Sequence, residues 1–378
     1  MHVVIIGGGT GGLTVANRLG RILYRELKNG EHLVTLITDR KLHDYQPGYM
    51  FSALNAHPMQ HYERPTLSLL HYHVDLVVEA VQSIDFEKKK VKADTDYDYD
   101  LLVIATGSVP DMDSIPGASE TAHTFYTKEG AEQLRGVLAR WKGGRVVVTI
   151  DLPHKCPAAP LEFPLLLDHQ FRTRGIRSLT EIVYTYPLDR LNVLESLDVW
   201  AKPEFERRNI RVETSFIPER VDVHKRALIG VDKRVIPFDL LVVVPRHRGA
   251  DLNRKLRIAD DLGFLPTDPS TLKLKGYDDV YVLGDATNLS FPYLKAGATA
   301  HFQSEVVAKN IADRLRGLPE TAMYDGKFIC FMDDTEKSSS FIFYDNDHPP
   351  RVATTGGLMH LFREAYHEFY WLTVRALL

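Results

Sequence analysis

Six short runs dominated by aliphatic and β-branched residues recur along the chain: Val3–Ile6, Leu33–Thr38, Leu101–Ala105, Arg145–Ile150, Ile182–Pro187 and Leu240–Val244. Each is too short for a stable helix, and each reads as a strand buried on both faces, as in a parallel sheet. Between them lie windows with the 3.6-residue period. Helices are predicted over Leu13–Leu27, Lys128–Trp141, Leu161–Arg174 and 199–209, and over a stretch from His301 to about Leu315. In Lys128–Trp141 the apolar face is Ala131, Leu134, Val137, Leu138 and Trp141. Residues 220 to 236 read as a β-meander. Asp325–Asp333 alternates, which puts Phe328, Cys330 and Met332 on one face of a strand. The closing stretch, 357 to 378, carries Leu358, Leu361, Phe362, Ala365, Tyr366, Phe369, Leu372 and Ala376 on one helical face. Tyr370, Trp371, Val374, Leu377 and Leu378 widen it.

The first strand runs straight into Gly7-Gly8-Gly9-Thr10-Gly11-Gly12, which holds G-x-G-x-x-G at Gly7, Gly9 and Gly12, and a helix follows. That context suits a dinucleotide. Gly7 permits the tight turn, Gly9 lets a pyrophosphate reach the backbone, and Gly12 lets helix and strand pack closely. Asp39 ends the second strand, where an acid can accept ribose hydroxyls, and Arg40 beside it joins the candidate site. The strand–helix plan then repeats. The expected fold class is α/β, with two Rossmann-like dinucleotide-binding domains in tandem plus a C-terminal tail region. The first domain takes residues 1–108 and 278–318, the second 109–277, and the tail region 319–378. In the second domain the glycines are missing. Asp151 to Pro160 follows its first strand, no glycine lies between Gly144 and Gly175, and Pro153, Pro157 and Pro160 remove amide donors. NAD(P)H is therefore not the expected reductant.

Composition narrows the class. The chain has 378 residues, 44% hydrophobic and 25% charged, with a net charge of −4. These are ordinary globular values, with no basic field to argue for nucleic acid. No apolar run approaches the roughly 20 residues that span a bilayer, and no signal peptide is visible. Two cysteines, Cys156 and Cys330, are too few for a secreted disulfide framework. They are either inert core thiols or a redox pair. Cys156 sits in the approach to a helix N-terminus beside Lys155 and His154, three features that favour a thiolate. Glu162, six residues on, could shuttle protons. His57, His61, His71, His73, His224 and His247 show no metal-ligand spacing, so no metal is expected.

Two further segments identify the group. Ala105-Thr106-Gly107 ends a strand in a tight turn, and Tyr281-Val282-Leu283-Gly284-Asp285-Ala286 comes much later. With the glycine loop, and in this order, they resemble the FAD-dependent pyridine nucleotide–disulfide oxidoreductases. Cys156 followed by Pro-x-x-Pro-Leu-Glu, and Gly326-Lys327-x-x-Cys330, sharpen the likeness. So do Tyr45-Gln46-Pro47-Gly48, Ile115-Pro116-Gly117 and Lys295-Ala296-Gly297. Together they resemble sulfide:quinone oxidoreductases and the flavoprotein subunit of flavocytochrome c sulfide dehydrogenase.

The resemblance implies FAD as cofactor, touched by Ala105, Thr106 and Gly107, with Gly284 and Asp285 at the ribityl chain. Lys295, Ala296 and Gly297 would open a helix aimed at the flavin pyrimidine ring, Lys295 adding positive charge and Gly297 close approach. It implies a Cys156–Cys330 redox pair on one side of the flavin, sulfide or another small sulfur compound as substrate, and a quinone as acceptor. It also implies peripheral contact with the cytoplasmic side of a membrane through the tail, with Tyr370 and Trp371 at headgroup depth. The tail's other reading is packing on its own core or a dimer contact, and a homo-oligomer is left open. In one respect the chain departs from the group: many of its members carry a third cysteine upstream, and none precedes Cys156. Three alternatives stay open: transfer to cytochrome c, a thiol or persulfide oxidoreductase, and an FAD-binding scaffold with two inert cysteines.

Overall fold

The computed structural model describes residues 1–289, 294–335 and 337–378. The run Phe291-Pro292-Tyr293 before Lys295 lies outside them. The N-terminal sheet contains β1 (His2–Ile6), β2 (Leu33–Thr38), β3 (Asp75–Val78), β4 (Leu101–Ile104) and β11 (Val280–Val282). Its order is β11-β4-β1-β2-β3, and every pair is parallel. Successive residues of β1 face opposite cores: Val3 and Ile5 pack on one side, Val4 and Ile6 on the other. That is the two-sided burial the uniform apolar runs predict. The strand order reverses at β1, since β2 lies to one side and β4 to the other. The carboxyl ends of β1 and β4 therefore flank the crevice where such sheets take a ligand.

α1 (Thr10–Ile22) leaves β1 through the glycine loop. It is shorter than its periodicity suggests, because buried Leu23 leaves helical dihedrals (φ −100°, ψ 23°) and sinks into the core. A short helix, Tyr24–Lys28, follows. A β-carbon on Gly12 would stand 1.9 Å from the Gly7 carbonyl oxygen, so the loop closes only around glycine there.

β5 (Ser108–Pro110) pairs antiparallel with β10 (His247–Gly249) and joins the two halves. The second sheet has β6 (Gly144–Ile150), β7 (Thr180–Thr185), β8 (Arg211–Glu213) and β9 (Leu240–Val244), in the parallel order β8-β7-β6-β9. α2 (Lys128–Arg140) precedes it and α3 (Ala159–Thr173) follows β6. The expected meander is three short strands between Pro218 and Pro237. α4 (Gly297–Leu315) returns to α1, where the Ser304 hydroxyl donates to the Gly11 carbonyl at 3.0 Å. An antiparallel sheet, β12 (Phe328–Thr335), β13 (Ser338–Tyr344) and β14 (Arg351–Gly356), precedes α5 (Gly357–Thr373).

α5 packs by an unexpected side. Arg363, Tyr370 and Val374 are buried, while Leu358, Leu361, Phe362 and Phe369 of the apolar face are 64%, 66%, 54% and 50% exposed. Tyr370 is therefore in the core and not at headgroup depth. The cause is polar. An Arg363 guanidinium nitrogen meets the Asp333 carboxylate at 2.9 Å, the Tyr370 hydroxyl is held by Thr10 and His43, and the Val374 carbonyl accepts from Asn17 at 2.7 Å. Breaking one partner from a buried ion pair such as Arg363–Asp333 costs about 3–5 kcal/mol, more than exposing one leucine.

The glycine loop supplies a contrast that can be measured. Gly12→Ala forces the loop away from the Gly7 carbonyl and should lower unfolding stability by about 2 kcal/mol. Gly9→Ala, whose β-carbon meets nothing within 4 Å, should leave the denaturant midpoint of the cofactor-free protein unchanged. Equal midpoints for the two variants would contradict this account of the loop.

Candidate functional site

The crevice has the form of a dinucleotide cradle. Gly9 caps α1 and Ala296 caps α4, and neither helix start is satisfied by a capping side chain. Among the described residues, both therefore present free amide donors and the positive end of a helix dipole. Among the described residues, a β-carbon on Gly9, Gly107 or Gly297 would meet no atom within 4 Å. These three open positions lie at the ends of β1 and β4 and the start of α4, where the resemblance puts the flavin nucleotide. Asp39 and Arg40 are exposed at the end of β2, 3.9 Å apart. Ala105 is buried, and the Thr106 hydroxyl exchanges hydrogen bonds with the Asn253 amide at 2.9 and 3.2 Å. The residues present fit a flavin dinucleotide.

Gly284 and Asp285 form the floor. Asp285 accepts from the Ser108 hydroxyl at 3.0 Å and lies 3.7 Å from the Lys155 ammonium. Lys295 is not a solvated lysine. Its ammonium donates to the Thr287 and Asp285 carbonyls at 2.5 and 3.2 Å and sits 3.7 Å over the Phe264 ring. Burial pulls it down to about 8. Its charge braces the 284–287 loop from beneath.

Cys156 is brought to this place by its backbone. It is in the left-handed region, φ +58°, and its amide donates to the Lys295 carbonyl at 2.7 Å. A non-glycine residue held there costs about 1–3 kcal/mol and persists only where its surroundings enforce it. The sulfur faces the amides of Ala158 and Ala159 at the start of α3 and the Cys330 side chain, each near enough to lower its pKa. Both cysteines are free and half-buried. The neighbouring Cys330 side chain is the largest of the influences that bring Cys156 down to about 7; the amides and Lys155 add to it, while burial opposes it. Cys330 goes the other way, pushed well up by the neighbouring Cys156 and by burial. The Cys330 thiol donates to the Phe331 carbonyl at 3.3 Å, and Cys156 is the more acidic of the two sulfurs.

Glu162, on the first turn of α3, is buried and accepts the Asp333 amide at 3.0 Å. Burial, then the Asp333 carboxylate, holds Glu162 well above the usual carboxylate range. Negative charge on Cys156 adds to this, so thiolate and proton are linked across the site. Asp333 is itself raised by burial, which Arg363 counters.

One sequence expectation needs correction here. His154 does not supply charge to the thiolate: burial pulls it down to about 4, so it is neutral, and its Nε2 pairs with the Tyr186 hydroxyl at 3.2 Å. In the Tyr45–Tyr49 segment both tyrosines are buried, and the Tyr45 ring lies 4.4 Å from that of Tyr370. Sequence reasoning missed Asp333, Arg363 and Tyr126, whose hydroxyl donates to the Lys155 carbonyl at 3.0 Å. None of them stands in a motif. The one available signal was Asp333, three residues past Cys330 on the same strand.

Comparison with known proteins bears out the resemblance to sulfide:quinone oxidoreductases. Residues 1–149 match the pyridine nucleotide-disulphide oxidoreductase family. The mitochondrial sulfide:quinone oxidoreductase of Mus musculus is 26% identical over 87% of this chain and 74% of its own. The sulfide-quinone reductase of Aquifex aeolicus is 24% identical over 99% and 91%. The fold superposes on the X-ray structure of the Aquifex aeolicus sulfide:quinone oxidoreductase with a TM-score of 0.87 and 22% identity, covering 99% of this chain and 91% of that one.

The asymmetry of the pair predicts a titration. In reduced protein, the rate of Cys156 alkylation by iodoacetamide should rise with pH through a midpoint near 7. Cys330→Ala removes the largest cause and should move that midpoint up by a unit or more, toward the ordinary thiol value of roughly 8.5. A midpoint that stays near 7 in C330A would mean that the helix amides alone hold the thiolate.

Proposed function

We propose that this chain oxidises sulfide to sulfane sulfur through Cys156 and Cys330, with a bound FAD passing the electrons to a quinone. The observation that carries the reading is the placement of Cys156 by its amide bond to the Lys295 carbonyl, against the start of α4 in the flavin cradle and beside Cys330, with the first sulfur held low and the second high. The relatives named sulfide:quinone oxidoreductases support it. The loop that Gly7 and Gly12 close would present Gly9 to the pyrophosphate, Asp39 and Arg40 would flank the adenosine ribose, and Ala105–Gly107, Gly284, Asp285 and Lys295–Gly297 would surround the rest. The flavin, when bound, supplies a two-electron acceptor beside the sulfurs and a two-electron donor toward quinone.

The local charges favour distinct roles for the two cysteines. In the oxidised pair, hydrosulfide attacks one sulfur and the other leaves as a thiolate, so one S–S bond forms as one breaks. The thiol of lower pKa leaves faster. That is Cys156, so hydrosulfide attacks Cys330, and the persulfide forms there. Cys156 departs as the electron-rich thiolate, received by the amides of Ala158 and Ala159. Glu162 holds a proton while Cys156 is charged and releases it when that charge goes. In sum, H2S and quinone give sulfane sulfur and quinol, the sulfur leaving on a second sulfide or thiol. NADH has no part in this scheme, because the sulfur loop stands where its phosphates would need a glycine loop.

The exposed stripe of Leu358, Leu361, Phe362 and Phe369 supports a docking role for α5, its apolar face lying in a bilayer interface as quinone exchange requires. Among the described residues no helix is long and apolar enough to cross a membrane.

Anaerobic addition of sulfide should bleach the flavin of the wild type, while NADH should not. Cys156→Ser and Cys330→Ser should abolish the bleaching, and Glu162→Gln should slow it roughly a hundredfold. Sulfide-dependent bleaching that survives in both serine variants would sink the proposal. Leu361→Glu with Phe369→Glu should weaken sedimentation with liposomes about a hundredfold. Unchanged sedimentation would remove α5 as the contact.

A further inference from the structure

The C-terminal helix reaches the glycine loop through a chain of three hydrogen bonds. The Thr10 hydroxyl lies 2.8 Å from the Tyr370 hydroxyl, that hydroxyl 2.7 Å from His43 Nε2, and His43 Nδ1 2.8 Å from the Gly8 carbonyl. The directions follow from one end. A carbonyl only accepts, so Nδ1 carries the ring proton. Burial keeps His43 neutral, and its Nε2 must then accept from Tyr370. The Tyr370 hydroxyl oxygen is left to accept from Thr10.

The chain has a consequence for the loop. In a trans peptide the carbonyl and the following N–H point in opposite directions within one plane. Pinning the Gly8 carbonyl on His43 therefore turns the Gly9 amide the other way. Gly9 is the uncapped start of α1, with open space at its β-carbon position. We propose that Tyr370 of the tail helix is a positioning residue for the flavin's pyrophosphate, fixing the Gly8–Gly9 peptide through His43 and Thr10. The inference rests on the FAD reading and adds a role for the tail distinct from membrane docking. It makes the C-terminal helix part of the nucleotide site.

Other contacts hold Tyr370 in place. The Asn17 amide donates to the Val374 carbonyl at 2.7 Å, Arg21 Nε donates to the Arg375 carbonyl at 3.0 Å, and Val374 is fully buried. The Tyr370 ring also packs 5.3 Å from that of Trp371. Phenylalanine at 370 therefore keeps the packing and deletes only the hydroxyl, leaving His43 Nε2 buried without a donor.

The test uses FAD itself on cofactor-stripped full-length protein. Tyr370→Phe should raise the FAD dissociation constant roughly five- to tenfold, the size expected for one lost buried hydrogen bond. In the reconstituted protein it should also shift a 31P resonance of the pyrophosphate. Val374→Ala, which loosens the tail but leaves the hydroxyl chain, should lower the melting temperature and leave the 31P spectrum as in wild type. Two results would overturn the inference. One is a Tyr370→Phe protein with wild-type 31P resonances and an affinity within twofold of wild type. The other is a Val374→Ala protein that shifts the resonances equally. A wild-type protein that takes up no FAD would instead overturn the cofactor reading beneath it.

Discussion

One backbone hydrogen bond organises the molecule: the Cys156 amide to the Lys295 carbonyl, 2.7 Å long. It ties the loop after β6, in the second sheet, to the approach of α4, which closes back on α1 and the first sheet. Without it, a left-handed cysteine would have little reason to hold its conformation. With it, the sulfur faces both the first amides of α3 and the Cys330 thiol, and the Lys295 side chain braces the 284–287 loop on the far side of the same peptide.

The electrostatics of the pair follow from that placement. Two thiols in one half-buried pocket would both be raised by desolvation alone. Here one sulfur faces helix amides and the Lys155 charge, while the other is buried beside it and donates to the Phe331 carbonyl, so their acidities separate. Glu162 is then the third member of a small coupled system, since charge on Cys156 helps to hold its proton. In the proposed reaction that separation decides which sulfur leaves and which keeps the sulfane atom. The arrangement uses no third cysteine, and none precedes Cys156 to provide one.

The tail helix joins two demands on one element. Its polar inner side is anchored by Arg363 on Asp333 beside the sulfurs, and by Tyr370 on the glycine loop. Its apolar outer side is left open. An ordinary amphipathic helix does the reverse. Here the inner positions meet a buried carboxylate and a buried histidine, groups that are costly to leave unpaired and so outrank apolar contact in choosing the packing face.

The sequence alone was enough for the strands, the glycine loop and the missing second glycine loop, because these rest on local chemistry. A β-branched run can be buried only as a strand here, and a position 1.9 Å from a carbonyl admits only glycine. It also made Cys156 and Cys330 the candidate pair, through short motifs around each. What only the tertiary structure decided was which groups meet across distant segments. Periodicity counts apolar residues on a helix and cannot know that Asp333 and His43 wait on other elements. So it read the exposed face of α5 correctly as apolar but could not say that the opposite side would be buried. The charge of His154 was misjudged for the same reason. Proximity in sequence suggested a cation beside the thiolate, while burial, which only the fold determines, keeps that ring neutral.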